Sequence, residues 1–230
     1  MALGLPATIR AGLFDLDGVI TQTARVHAQA WKQVFDEFLK TQNQPPFDPV
    51  QDYDLYVDGK PREDGVRSFL ASRGITVPDE TVHDLATRKD QLFLDLIHAH
   101  GVQTYDGSIR YLRAAKQAGL KLAVVSSSRH TSEVLASTQL KDFFDAQVDG
   151  IVAERDHLEG KPAPDTYLKA ASILDAEPKE AAVYEDALAG VQAGRAGGFG
   201  RVIGVDRAGQ ADALYAHGAD VVVKDLAELL

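Results

Sequence analysis

Short apolar runs punctuate this chain at wide intervals: Ala11 to Phe14, Leu120 to Val125, Gly150 to Ala153, Ala181 to Tyr184, Val202 to Val205 and Val221 to Val223. Each is too short for a helix and lacks polar alternation, as expected of strands covered on both faces of a parallel sheet. Helical stretches lie between most of them. Ser108 to Gln117 stops at Gly119, and Asp165 to Leu174 follows a proline-rich entry. Alternating strand and helix predicts an α/β fold, a doubly wound parallel sheet with its site at the carboxyl ends of the strands.

One region breaks the alternation. From about Ala24 to His100 the pattern is helical throughout. Ala28, Trp31, Phe35 and Phe38 mark one face of a first helix. Pro61 stands near the start of a second, whose Val66, Phe69 and Leu70 form a stripe ending at Gly74. Pro78 opens a third, carrying Val82, Leu85, Leu92, Phe93, Leu96 and Ile97 up to Gly101. The expected organisation is a core domain, 1–23 plus 102–230, with an inserted α-helical cap domain, 24–101. Connections near Thr21–Ala24 and Gly101–Asp106 would hang the cap over the strand ends.

Charge and composition narrow the function. A formal net charge of -10 argues against a nucleic-acid partner, because phosphate backbones select basic surfaces. The chain has no cysteine, which excludes disulfides, a thiol nucleophile and thiolate metal sites. MALGLPATIR lacks the build of a secretory signal, and no apolar run approaches a membrane span. A soluble cytoplasmic protein with no membrane partner is expected, and a monomer.

In a strand, residues i and i+2 point to the same side, so Asp15 and Asp17 of FDLDGVITQT face one pocket. Two charges ~4 Å apart repel by about 4 kcal/mol at an effective dielectric of about 20. Something must offset that. Oxygen ligands of this kind suit Mg²⁺. A second acidic pair, Glu185 and Asp186, ends another strand in AAVYEDALAG. Each acid could instead cap the helix that follows it. Ser126, Ser127 and Ser128 follow LKLAVV, where hydroxyls and N–H groups can hold phosphate oxygens. Lys161 in GKPAPD supplies either an ion pair or a point charge for a phosphoryl group.

FDLDGVITQT, VVSSSRH, GKPAPD and YEDALAGVQAG together resemble the four ordered motifs of the haloacid dehalogenase superfamily, over essentially the whole chain. The resemblance is strongest to its β-phosphoglucomutase branch. It implies a Rossmannoid core with a helical cap and phosphoryl transfer through Asp15, the nucleophile that becomes an aspartyl phosphate. Asp17 would be the general acid/base, with its backbone carbonyl on Mg²⁺. Asp15 and Asp186 would give metal carboxylates and Glu185 would support the metal. Ser126, Ser127 and Lys161 would hold the transferring phosphate.

In a phosphatase, water would take the phosphoryl group from Asp15. In a mutase a sugar hydroxyl takes it, and a second phosphate site must anchor the bisphosphate intermediate. The resemblance places that distal and substrate site at Arg62, Ser128, Arg129, His130 and Lys89. Arg129 and His130 depart from the Lys and Asn common in the family. An exposed Arg or Lys is ordinarily just solvated. Thr23 and His27 match hinge positions that tie Asp17 to cap closure, although Thr23 could equally be a helix N-cap. The expected activity is interconversion of β-D-glucose 1-phosphate and glucose 6-phosphate, with glucose 1,6-bisphosphate as primer and a small-molecule sugar phosphate as partner. The alternative is a Mg-dependent phosphatase of a small phosphomonoester. A phosphoryl-accepting signalling domain would be about half this length and lack the cap. A catalytically dead sugar-phosphate sensor would not need a nucleophile.

Overall fold

The computed structural model describes residues 3–230. The chain opens with β1 (Ala11–Phe14) and then runs through α1 (Thr23–Thr41), a π-helical turn (Tyr53–Val57), α2 (Arg62–Ser72) and α3 (Asp79–His100). After α4 (Asp106–Gln117) come β2 (Lys121–Val125), α5 (Thr131–Ser137), β3 (Ala146–Val148), α6 (Gly150–Arg155) and α7 (Asp165–Ile173). It ends with β4 (Ala181–Glu185), α8 (Leu188–Ala196), β5 (Arg201–Val205), α9 (Ala211–His217) and β6 (Val221–Val223). Among the described residues these strands form one parallel sheet in the order β3-β2-β1-β4-β5-β6.

Both faces of the sheet are covered, which explains its unalternating strands. Ala11 and Leu13 pack on one side with Ala123, Val125, Val183 and Tyr167. Phe14 points the other way, among Leu122, Val124, Tyr184 and Tyr111. Its ring stacks on Tyr184 with centroids 4.1 Å apart. A side chain at Gly12 would meet that ring at 2.7 Å, so glycine is needed there.

The predicted strand at Gly150 to Ala153 is instead the helix α6, and the strand lies just before it. Asp149 caps that helix, its carboxylate accepting from the N–H groups of Ile151 and Val152 at 3.1 and 2.9 Å. A four-residue apolar run cannot reveal its own period, and the cap decided.

The helices between β1 and β2 build an aromatic core of their own. Phe69 sits 4.3 Å from Phe35 and 4.9 Å from Phe47, centroid to centroid, with Trp31 stacked on Phe35. Ala30, Phe93 and Ile97 belong instead to the cluster of the sheet domain, so α1 and α3 pack on both. The two connections lie side by side. Gln22 donates its N–H to the Gln103 carbonyl at 2.8 Å, and Tyr105 donates to Ile20 at 2.9 Å.

The strand order reverses at β1: β2 and β3 lie to one side, β4 to β6 to the other. Crossovers part there, leaving a crevice at the carboxyl ends. Asp15 follows β1, Ser126 follows β2 and Asp186 follows β4, so the three motifs meet in that crevice.

Phe69→Ala removes the centre of the helical cluster. We expect a loss of about 3–5 kcal/mol in urea unfolding, the usual cost of a buried Phe truncation.

Candidate active site

Gly18 ends the first motif at φ +86, in the left-handed region, and a side chain there would run into the Asp186 carboxylate. Its N–H donates to the Thr21 carbonyl at 2.8 Å. The turn brings the β1 acids against the β4 acids.

Asp15, Glu185 and Asp186 are buried, with one carboxylate oxygen from each within 4.8 Å of the others. Lys161 is the cation among them. Its ammonium lies 2.5 Å from Asp15 Oδ1 and 2.6 Å from Glu185 Oε1, and donates to the Val125 carbonyl at 3.3 Å. Tyr167 donates its hydroxyl to Glu185 at 2.7 Å, and its ring lies 5.1 Å beneath the ammonium. Burial works against the Lys161 charge, but Asp15 and Glu185 overcome it and raise its pKa. Burial also dominates at Asp15, with Lys161 opposing, and leaves that carboxyl well above the ordinary range. Asp186 is raised as well, first by burial and then by Asp58 and Asp15. Asp186 Oδ1 is buried without a partner. An orphaned oxygen beside other hard oxygens fits a divalent cation such as Mg²⁺.

Asp17 has a different environment. The Thr23 hydroxyl donates to Asp17 Oδ1, and Ser126 Oγ donates to Oδ2 at 3.3 Å. His27 Nε2 lies 3.3 Å from Oδ1. Lys89 Nζ lies 2.6 Å from His27 Nδ1; when charged, Lys89 donates there and places the His27 proton on Nε2, facing Asp17. Burial opposes the Asp17 charge, yet His27, the Thr23 hydrogen bond and Lys89 hold its pKa at about 2. Lys89 itself is drawn down to about 7, chiefly by burial, against the pull of Asp17 and Asp90. It is 3% exposed, between the rings of Trp31 and Phe93 at 5.1 and 5.2 Å. The alternative of an ordinary solvated lysine therefore fails. Thr23 is no N-cap: α1 begins at Thr23 and its hydroxyl is spent on Asp17.

The remaining expected residues divide. Arg62 and His130 come together on one carboxylate, Asp90 of α3; Arg62 forms an ion pair and His130 Nε2 lies at 2.9 Å. Arg129 turns to Glu154 on the surface. Ser128 donates its N–H to Ser126 Oγ and accepts from the His130 N–H, both at 3.1 Å, shaping the loop. Ser127 Oγ donates to the Gly59 carbonyl at 2.7 Å, so its side chain clips the inserted helices to the sheet domain. Lys89, expected at the distal site, reaches the Asp17 side instead. Asp58 and Tyr53, which also line the cavity, and Asp90 and Tyr167 were not anticipated. Asp90 stands beside Lys89 in TRKDQ, but that adjacency carries no local signature.

All of this encloses a cavity of about 60 Å³ lined by Asp15, Asp17, Arg62, Lys89, Asp90 and Asp186. It adjoins a wider cavity of about 530 Å³ that shares Arg62, Ser126, Ser127 and Arg129, so the cleft narrows toward Asp15 and Asp17. Gly59 and Gly160 permit the narrowing: a side chain on the first would meet Ala187 at 2.9 Å, and one on the second would overlap Pro61.

A family model described as haloacid dehalogenase-like hydrolase matches residues 9–198. The chain belongs to that family. It is 53% identical to the β-phosphoglucomutase of Mycobacterium bovis, over 99% of this chain and 94% of that one. It is 34% identical to the β-phosphoglucomutase of Bacillus subtilis, over 96% and 92%. A crystal structure of β-phosphoglucomutase from Clostridium difficile superposes with a TM-score of 0.80 at 25% identity, covering 96% of this chain and 93% of that one.

Raised carboxyls at Asp15 and Asp186 bind protons that the unfolded chain releases. Their contribution to stability is fully present below about pH 4 and is lost as pH climbs through the raised values. Asp17 acts oppositely: its share is present above about pH 4 and lost as pH falls through about 2. We expect the melting temperature of chelator-treated protein to fall from mildly acid to mildly alkaline pH, and saturating Mg²⁺ to restore it at the alkaline end. A chelated protein with a pH-independent melting temperature would contradict this electrostatic assignment.

Proposed function

We propose that this chain is a β-phosphoglucomutase, interconverting β-D-glucose 1-phosphate and glucose 6-phosphate through an aspartyl phosphate on Asp15 and a β-glucose 1,6-bisphosphate intermediate. One observation favours this over hydrolysis. A second cation, Arg62, lines the same cavity as the nucleophile, and His130 joins it through the Asp90 carboxylate that both contact. A phosphatase needs one phosphate site, whereas a mutase needs two. The identity to the mycobacterial β-phosphoglucomutase favours the same choice.

In this reading Asp15 begins as the aspartyl phosphate, and the free hydroxyl of the sugar phosphate attacks its phosphorus: the sugar O–P bond forms, the Asp15 O–P bond breaks and Asp17 takes the hydroxyl proton. In the second half the resulting bisphosphate presents its other phosphate, the Asp15 carboxylate attacks, the P–O bond to the sugar breaks and Asp17 returns its proton to the departing sugar oxygen. Thr23 and His27 hold Asp17 ionised before the first half, which suits it to accept the hydroxyl proton. Lys161 and the Ser126 hydroxyl neutralise and orient the phosphoryl oxygens. Asp15, Asp186 and the Asp17 carbonyl, with Glu185 behind them, would hold Mg²⁺, which when bound offsets negative charge on those oxygens. Residues 24–101 would serve as a cap over the core of 1–23 and 102–230, opening to admit the sugar and closing to exclude water. Glucose 1,6-bisphosphate would prime Asp15.

Incubation with β-glucose 1-phosphate, Mg²⁺ and the bisphosphate should yield glucose 6-phosphate with little free phosphate. Phosphate release without an isomer would make the chain a hydrolase. Asp15→Asn is expected to abolish turnover. Arg62→Ala should depress isomerisation by about 100-fold, the order of a lost charged phosphate contact, and much less the hydrolysis of a simple aryl phosphate. Equal losses in the two assays would remove Arg62 from the distal site.

A further inference from the structure

The cap side of the cavity already holds an anion. Arg62 opens α2 and His130 lies just before α5, so they approach from opposite sides of the cleft. Both end on Asp90. Arg62 Nη1 pairs with Oδ2, and His130 Nε2 lies 2.9 Å from Oδ1. Each oxygen of one carboxylate thus has its own cationic or donor partner. Two oxygens of a phosphate would present the same face to the same pair. The three side chains are only 19–27% exposed, so this is not a loose surface contact. Asp90 lines the cavity beside Arg62, so a phosphate arriving at Arg62 meets that carboxylate already in place.

We propose that Asp90 is a resident stand-in for the non-transferring phosphate, and that a substrate engages Arg62 and His130 only by displacing it. This rests on the distal-phosphate reading of Arg62 given above.

Displacement makes the site selective. A neutral sugar offers nothing that competes with a carboxylate already in place. A phosphate dianion brings more charge and a third acceptor oxygen, and can win the exchange. The free protein meanwhile closes over an empty site without leaving Arg62 and His130 facing each other unpaired. Arg129 does not relieve this competition, because it is held by Glu154. The opposite role for Asp90 would be to preorganise the Arg62 guanidinium for substrate. The two roles predict opposite signs. A preorganiser helps binding, and a stand-in hinders it.

Asp90→Asn keeps the shape of the side chain and removes its charge. The full-length protein, without metal, is titrated with glucose 6-phosphate by calorimetry. Trp31, the single tryptophan, lines the same cavity and gives a parallel fluorescence signal. We expect Asp90→Asn to bind about tenfold more tightly, the scale of one partly buried ion pair. Arg62→Ala should bind more weakly, and the gain from Asp90→Asn should vanish in the double variant. Asp90→Ser is a second variant with the same expectation. If the Asp90 variants bind no more tightly while Arg62→Ala still weakens binding, the stand-in role is overturned and the distal-phosphate reading stands. If Arg62→Ala binds as well as the parent protein, both are overturned.

Discussion

One buried cation makes the reacting end of this protein possible. Lys161 is 2% exposed and touches both Asp15 and Glu185. Burial raises the Asp15 carboxyl, and Lys161 is the group that opposes that rise and favours the ionised form. The pairing also explains the position of the lysine. It sits on the loop before α7, whose Tyr167 supports both the ammonium and Glu185 from below. Deep ion pairs contribute little net stability, and the chemistry they permit is a better reason for their presence. The pair does not balance the site. Asp186 keeps an unpartnered oxygen, and the sum of charges still favours a divalent cation.

The second carboxylate is governed by different neighbours. Asp15 is tuned by the sheet domain, through strand ends and the α7 loop. Asp17 is tuned from the inserted helices: Thr23 and His27 on α1 and Lys89 on α3. The two acids of one short motif therefore answer to two parts of the fold. Any opening of the cap that carries Lys89 away from the sheet alters the environment of Asp17 and leaves that of Asp15 intact. In the proposed mechanism proton transfer is thereby linked to closure, while nucleophilicity is not.

Local chemistry made much of this legible. Asp15, Ser126, Glu185 and Asp186 lie within a residue or so of a strand end, and a strand that is recognised places them. The helical insert showed itself through proline entries, glycine exits and aromatic stripes. What was not legible shares a cause. Gly150 to Ala153 was ambiguous because a short apolar run has no readable period. Ser127, Arg129 and Lys89 were assigned partners by motif alone. Their actual partners, Gly59, Glu154 and His27, lie far away in sequence. Nothing near Asp90 announces that it will meet His130, forty residues on.

The sequence by itself determined the sheet, the helical insert and the carboxylates gathered at the strand ends, because each follows from short-range periodicity and from side chains fixed to strand ends. Only the tertiary structure decided which cation serves which carboxylate. That depends on the angle at which α1 to α3 settle on the sheet domain. The angle is set jointly by Phe93 and Ile97 against the core, by Gly59 against Ala187 and by Pro61 against Gly160. Such contacts are individually weak and distant along the chain, and they act only once packed together. Lys89 is thereby buried beside Asp17, and Asp90 comes to rest between Arg62 and His130.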